Sequence, residues 1–216
     1  MNKTKFTPAV LMAAIHLIVV LSLVCFGTMI LTLGILAIPS LTSAFIIGKD
    51  VIYKRFDVHD GLVKRFFSEM FSEMKMMKYF PMQLLVLMQL AGIYAAEKMN
   101  MQFLAYLMVA CISFVLALII YTITYHIFYK PYPTVTEVLI AMFYRVHYFM
   151  LVWIAMILLT IMFGVKMLGV MLLVGTAAIL LVETVAFLGV IGFKKLKKEL
   201  TDEEKEFFGE DMLKKL

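Results

Sequence analysis

Three ionisable residues sit inside apolar stretches of this chain, where a charge is hardest to hold: His16, Arg145 and Glu183. Each lies about nine or ten residues in from the charged end of its stretch, which is roughly 14 Å along a helix rising 1.5 Å per residue. Three groups at one depth can meet. An unpaired charge in a low-dielectric surrounding is costly, so such residues are paired or functional. One arrangement is an Arg145–Glu183 ion pair that locks two helices together, with His16 as a hydrogen-bond partner. Another is a relay or ligand site built from the same trio, and a third has Arg145 snorkelling to a polar boundary.

Other chemistry is hard to find. The sequence has no G-x-x-x-x-G-K-[ST], H-E-x-x-H, G-x-S-x-G or C-x-x-C, so neither a phosphate cradle, a zinc site nor a nucleophile elbow is expected. The expectation is a protein that is not an enzyme, with no catalytic residues, cofactor or metal. Cys25 and Cys111 both fall in apolar stretches and are expected as small core residues.

The elements that must position these residues follow from composition. The 216 residues are 63% hydrophobic with a mean hydropathy of +0.97, against roughly 45–50% apolar residues in soluble domains. An all-α, polytopic membrane protein of about six transmembrane helices is predicted, at roughly 20 apolar residues per span. The first uncharged run, residues 6–48, is too long for a signal peptide and reads as a retained helical hairpin. It is broken near Gly34 and Pro39 into spans at 8–31 and 35–53. Further spans are expected at 79–96, at 101–129, within 136–163 and within 167–193, the whole forming one transmembrane domain over 1–193. Tyr121, Tyr125, Tyr129, Tyr132 and Trp153 suit interface anchoring or helix packing.

The cations give the orientation. With a cytoplasmic N-terminus, six crossings place 17 of the 20 lysines and arginines on the same side, so both termini are expected in the cytoplasm. The outer loops are then very short.

"GLVKRFFSEMFSEMKMMKYF", residues 61–80, is charged yet periodic. Phe66, Phe67, Met70, Met74 and Met77 follow helical spacing, and Lys64 and Arg65 gather opposite. A cytoplasmic interfacial amphipathic helix over about 60–78 is predicted, its Phe and Met face turned to lipid or to a partner. A weak echo, "MFYRVHYFMLV" from Met142, suggests that the fifth span also begins with an interfacial segment.

The tail, 194–216, begins with Lys194, Lys195, Lys197 and Lys198, expected to touch anionic headgroups as Lys64 and Arg65 do. Thr201 and Glu204 have capping-box spacing for a short helix. Seven cations balance seven acids from Lys194 onward, which does not suit nucleic acid.

"LGILAIPSLTSAFIIGKDVIYKRFDVHDGLVKRFFSEMFSEMKMM" resembles the signature region of the YesL-like family of bacterial integral membrane proteins. A span ends there in a Gly/Pro turn, and small and hydroxyl residues, a basic end and a Phe-rich amphipathic segment follow. The resemblance implies a six-span protein of the bacterial cytoplasmic membrane, encoded beside carbohydrate ABC importers, with no family catalytic residues to carry over. Two functions are thus expected: a non-catalytic accessory or regulatory subunit contacting the membrane subunits of a sugar importer, or a small-solute transporter or substrate-binding membrane subunit using His16, Arg145 and Glu183.

Overall fold

The computed structural model describes residues 8–52, 61–164, 168–202, 204, 205 and 208, with the side chains of 8–16, 18, 51–52, 163–164, 168–178, 180 and 181 outside the description. Among these residues the chain is helical with no strand: α1 Pro8–Leu31, α2 Ala37–Ile52, α3 Leu62–Ser72, a 3-10 segment Glu73–Tyr79, α4 Phe80–Lys98, α5 Gln102–Phe128, α6 Val135–Tyr144, α7 Val146–Gly164 and α8 Leu168–Leu196. Among the described residues two helices are long and apolar enough to cross a membrane, Leu62–Lys98 and Gln102–Phe128. A third is added if α6 and α7 count as one broken span. The chain forms two compact units, one of residues 1–80 with 168–177 and the other of 81–167 with 178–216.

In the first unit α2 packs against α1 and α3. The α1–α2 turn is closed by bonds from Gly34 N–H to the Met29 carbonyl and from Leu33 N–H to the Ile30 carbonyl. It needs left-handed backbone at Leu33 (φ 51°) and Gly34 (φ 81°). Glycine adopts that conformation freely, whereas leucine pays for it. Pro39 stands in the first turn of α2, where its missing N–H leaves no helical bond unmade.

α2 buries a stripe of hydroxyl residues, Ser40, Thr42 and Ser43. Each must find a partner, because a buried hydroxyl left unbonded is costly. Thr42 donates to the Ile38 carbonyl at 2.8 Å. Ser43 donates to the Phe66 carbonyl at 2.8 Å, and Ser40 reaches the Met70 sulfur at 3.5 Å. Arg65 pairs with Asp50 near the end of α2, while Met70 meets Ser40 near its start. α3 therefore runs back along α2.

This corrects the expected outward face. Phe66 and Met70, with Leu62, are buried in the first unit's own core. Phe67 and Met74 are outward, joined by Val63 and Phe71, and Met77 is half-buried. Lys64 is exposed, but Arg65 is taken by Asp50.

In the second unit α5 and α7 pack antiparallel. Trp153 Nε1 donates to the Ala110 carbonyl at 3.3 Å, and Ser113 donates to Thr160 Oγ1 at 3.3 Å. Phe114 packs edge-on against both Phe149 and Trp153. Such aromatic pairs add about 0.5–1.5 kcal/mol beyond their buried area. Tyr121 is buried in the same seam against Phe149, and Tyr125 is buried against Phe193 of α8.

Candidate functional site

The second unit concentrates its unusual features at the junction of α6 and α7. The segment from Val135 to Met162 is apolar apart from a few residues and contains neither Pro nor Gly, yet its helix breaks at Arg145 and bends by 107°. Arg145 takes φ −130° and ψ 48° there. The charge explains the break. Its guanidinium donates to the Gly192 carbonyl on α8 at 2.9 Å, near a helix C-terminus whose partial negative charge favours a cation.

Two glycines make room for this contact. A Cβ at Gly192 would lie 3.1 Å from Arg145 Nε, and one at Gly189 would lie 2.3 Å from the Tyr121 hydroxyl oxygen and 3.1 Å from Tyr148 Cβ. Gly189 and Gly192 thus form a notch on one side of α8 that seats the start of α7 and the end of Tyr121. Close approach through small residues is how helices associate where lipid removes the hydrophobic drive.

Arg145 and Glu183 are not brought together. Arg145 meets α8 at Gly192, and Glu183 lies nine residues earlier in that helix, about 14 Å along the axis. The Arg145–Glu183 ion pair is therefore not formed. Glu183 Oε1 is buried without a hydrogen-bond partner. The side chain of His16 lies outside the described residues.

The end of α8 is more elaborate than a row of headgroup lysines. Lys194 is buried, which corrects its expected role. Its ammonium donates to the Phe128 carbonyl at 3.0 Å and to both carboxylate oxygens of Glu204 at 2.6 and 2.7 Å. The helix then stops in a Schellman arrangement, with Glu199 N–H on the Lys194 carbonyl and Lys198 N–H on the Lys195 carbonyl. Lys198 takes the left-handed position at φ 58°. Thr201 and Glu204 exchange the two bonds expected of a capping box. Phe208 packs on Phe187, which packs on Phe128, so the described part of the tail is docked. Lys195 is half-buried, and Lys197 and Lys198 are exposed.

α6 starts with a capping box of its own, Thr134 with Glu137, which its T-x-x-E spacing signals. The Lys130 hydrogen bond and then the Thr134 backbone N–H hold the Glu137 carboxyl down to about 2. The glycine notch had only a G-x-x-G as its sign in the sequence. The burial of Lys194 had no local sign.

Higher on α5 a shallow groove of about 370 Å³ is lined by Gln89, Ala110, Cys111, Phe114, Val115 and Trp153. Cys25 is buried as expected, whereas Cys111 is exposed on this groove. Among the described residues no three His, Cys, Asp or Glu side chains are grouped to hold a metal ion. Compared with protein-family models, curated proteins and solved structures, the chain matches none.

Proposed function

We propose that the protein is a non-catalytic accessory or regulatory subunit of a bacterial carbohydrate importer of the ABC type, crossing the cytoplasmic membrane six times with both termini inside. α1, α2, α4, α5, α7 and α8 are the six spans. α6 is the short helix at the cytoplasmic boundary, and α3 enters from that side and folds back along α2.

The observation that carries this reading is how the second unit spends its polar groups. Arg145 is bonded to Gly192, Lys194 to Glu204, and the Ser113, Thr122, Thr124 and Thr160 hydroxyls to carbonyls of their own helices, while Gln89 Oε1, Tyr121 Oη and Glu183 Oε1 are buried without a hydrogen-bond partner. Its exposed side chains are largely apolar, among them Phe103, Tyr106, Leu107 and Phe143. Such a surface suits lipid and a membrane-embedded partner. In the first unit, α3 and the 3-10 segment after it offer Phe67, Phe71 and Met74 in the same way. The resemblance to YesL-like proteins supports a sugar importer as the partner.

The test replaces Phe67, Phe71 and Met74 by serine, confirms insertion and accumulation, and measures carbohydrate uptake by the neighbouring importer. Reduced uptake is expected, with a complete deletion at least as severe. Normal uptake in both strains across the candidate sugars would refute the accessory role. A second reading, the small-solute transporter, is favoured by one feature: Glu183, whose Oε1 is buried and unbonded within α8. Purified protein in sealed vesicles that moves solute by itself, and loses this in Glu183→Gln, would establish it.

A further inference from the structure

The geometry points to an anionic phospholipid site at the α6–α7 elbow, with the lipid phosphate at Lys197 and Lys198 and an acyl chain along Ile140, Phe143 and Tyr144. The inference rests on the membrane-spanning part of the function proposed above and is independent of any sugar importer.

Three observations converge. α6 is turned 107° from α7, so if α7 crosses the bilayer, α6 lies close to its plane. α6 buries Val138, Ala141 and Met142 on one side and still leaves Ile140, Phe143 and Tyr144 at 46%, 76% and 61% exposure on the other. A helix apolar on both sides and polar only at its start needs lipid or protein over the outer side. The cations complete the site. Tyr144 packs on Phe193 with ring centroids 5.8 Å apart, and the Lys197 ammonium stands 4.8 Å from the centre of the same Phe193 ring. The apolar arc of α6 and the exposed lysines therefore share one end of the unit.

Charge complementarity selects the occupant. The described acids nearby are engaged elsewhere: Glu137 with Lys130, Glu199 with Tyr129, Glu204 with Lys194 and Asp202 with Lys205. Among the described residues no acid partners Lys197 or Lys198. A cation pair beside an apolar arc matches a phosphate headgroup above its chain, and each lysine near a bilayer surface favours an anionic lipid by roughly fivefold.

Trp153 is the only tryptophan, so a single reporter can be placed. In a Trp153→Phe background, the full chain carrying Phe143→Trp, or Ile140→Trp as a second reporter, is reconstituted in nanodiscs containing brominated-chain phosphatidylglycerol or phosphatidylcholine as a minor component. Leu107→Trp, exposed on α5, reports embedding alone. Quenching at Leu107→Trp by both lipids is expected. At the two elbow reporters, phosphatidylglycerol should quench several-fold more strongly at equal mole fraction. Lys197→Gln with Lys198→Gln should abolish that preference and leave the phosphatidylcholine quenching in place, and soluble glycerol phosphate should not compete. Equal quenching by the two lipids, a preference that survives the lysine changes, or no quenching at the elbow beside normal quenching at Leu107→Trp would each overturn the site. Loss of quenching at Leu107→Trp as well would overturn the membrane-spanning reading itself.

Discussion

Each unit uses an ion pair to fasten one segment to another, and the two pairs differ in burial. In the first, Arg65 meets Asp50 with side chains 27% and 17% exposed, and Glu69 shares the arginine. In the second, Lys194 meets Glu204 at 7% and 9%, with the Phe128 carbonyl as a further acceptor. A partly hydrated pair can lose a member and let water take over. A buried one cannot, because the partner left behind keeps its charge without solvent. Packing differs in the same sense. Nothing lies within 4 Å of a Cβ added at Gly27 or Gly48 in the first unit, whereas Gly189 in the second is pressed by Tyr121 and Tyr148. The second unit is the more exacting of the two about side-chain identity.

The largest expected effect follows from removing one buried charge. Lys194→Met strands Glu204 and should cost about 3–5 kcal/mol, read as a fall in the thermal midpoint of the detergent-solubilised protein. Lys194→Met combined with Glu204→Leu should recover much of it, so the double change is milder than the single. If the two costs simply add, the pair is not the fastening.

Next comes the notch. Gly189→Ala drives a methyl against the Tyr121 hydroxyl and should cost about 1–3 kcal/mol. Gly48→Ala, in open space on α2, should be neutral or stabilise by up to about 1 kcal/mol through helix propensity. Equal effects at the two glycines would erase the contrast between the units.

Arg65→Met should cost no more than about 1 kcal/mol, and the cost should shrink as salt is added, as for exposed pairs. A loss as large as that of Lys194→Met would mean the Arg65–Asp50 pair is far better shielded than its exposure implies.

The smallest effect is a pH dependence at the start of α6. Because the Glu137 carboxyl is held down to about 2, its contribution is fully present above the usual carboxylate range. It is lost as pH falls from about 4.5 towards 2. Glu137→Gln should flatten that part of the midpoint-against-pH curve. An unchanged curve would remove Glu137 from the cap.

Much of the helix layout was legible from the sequence. The first predicted span, 8–31, coincides with α1, and 101–129 differs from α5 by one residue at each end. The break falls at Gly34 between α1 and α2, with Pro39 in the first turn of α2, and the Thr201–Glu204 cap is formed. These features depend on local chemistry: apolar run length, backbone conformations open to glycine, and side chains three residues apart. The faces of α3 were harder to assign. Its period was right, but the apolar arc is wide enough for α2 to take Leu62, Phe66 and Met70 and leave Val63, Phe67 and Phe71 outside. Periodicity reports that an arc exists, and only the neighbour decides which part of it is covered.

The sequence by itself determined that this protein is helical and apolar enough for helices to cross a membrane. It also determined where most helices begin and end, because those properties are sums over neighbouring residues. Only the tertiary structure decided the fate of individual charges. Arg145 goes to the Gly192 carbonyl and leaves Glu183 without it, Lys194 turns inward to Glu204 while Lys197 and Lys198 stay out, and an apolar helix free of Pro and Gly breaks at an arginine. The reason is physical: a charge is settled by whichever acceptor the fold brings within about 3 Å, and these acceptors come from other segments, 10 to 66 residues away in the chain.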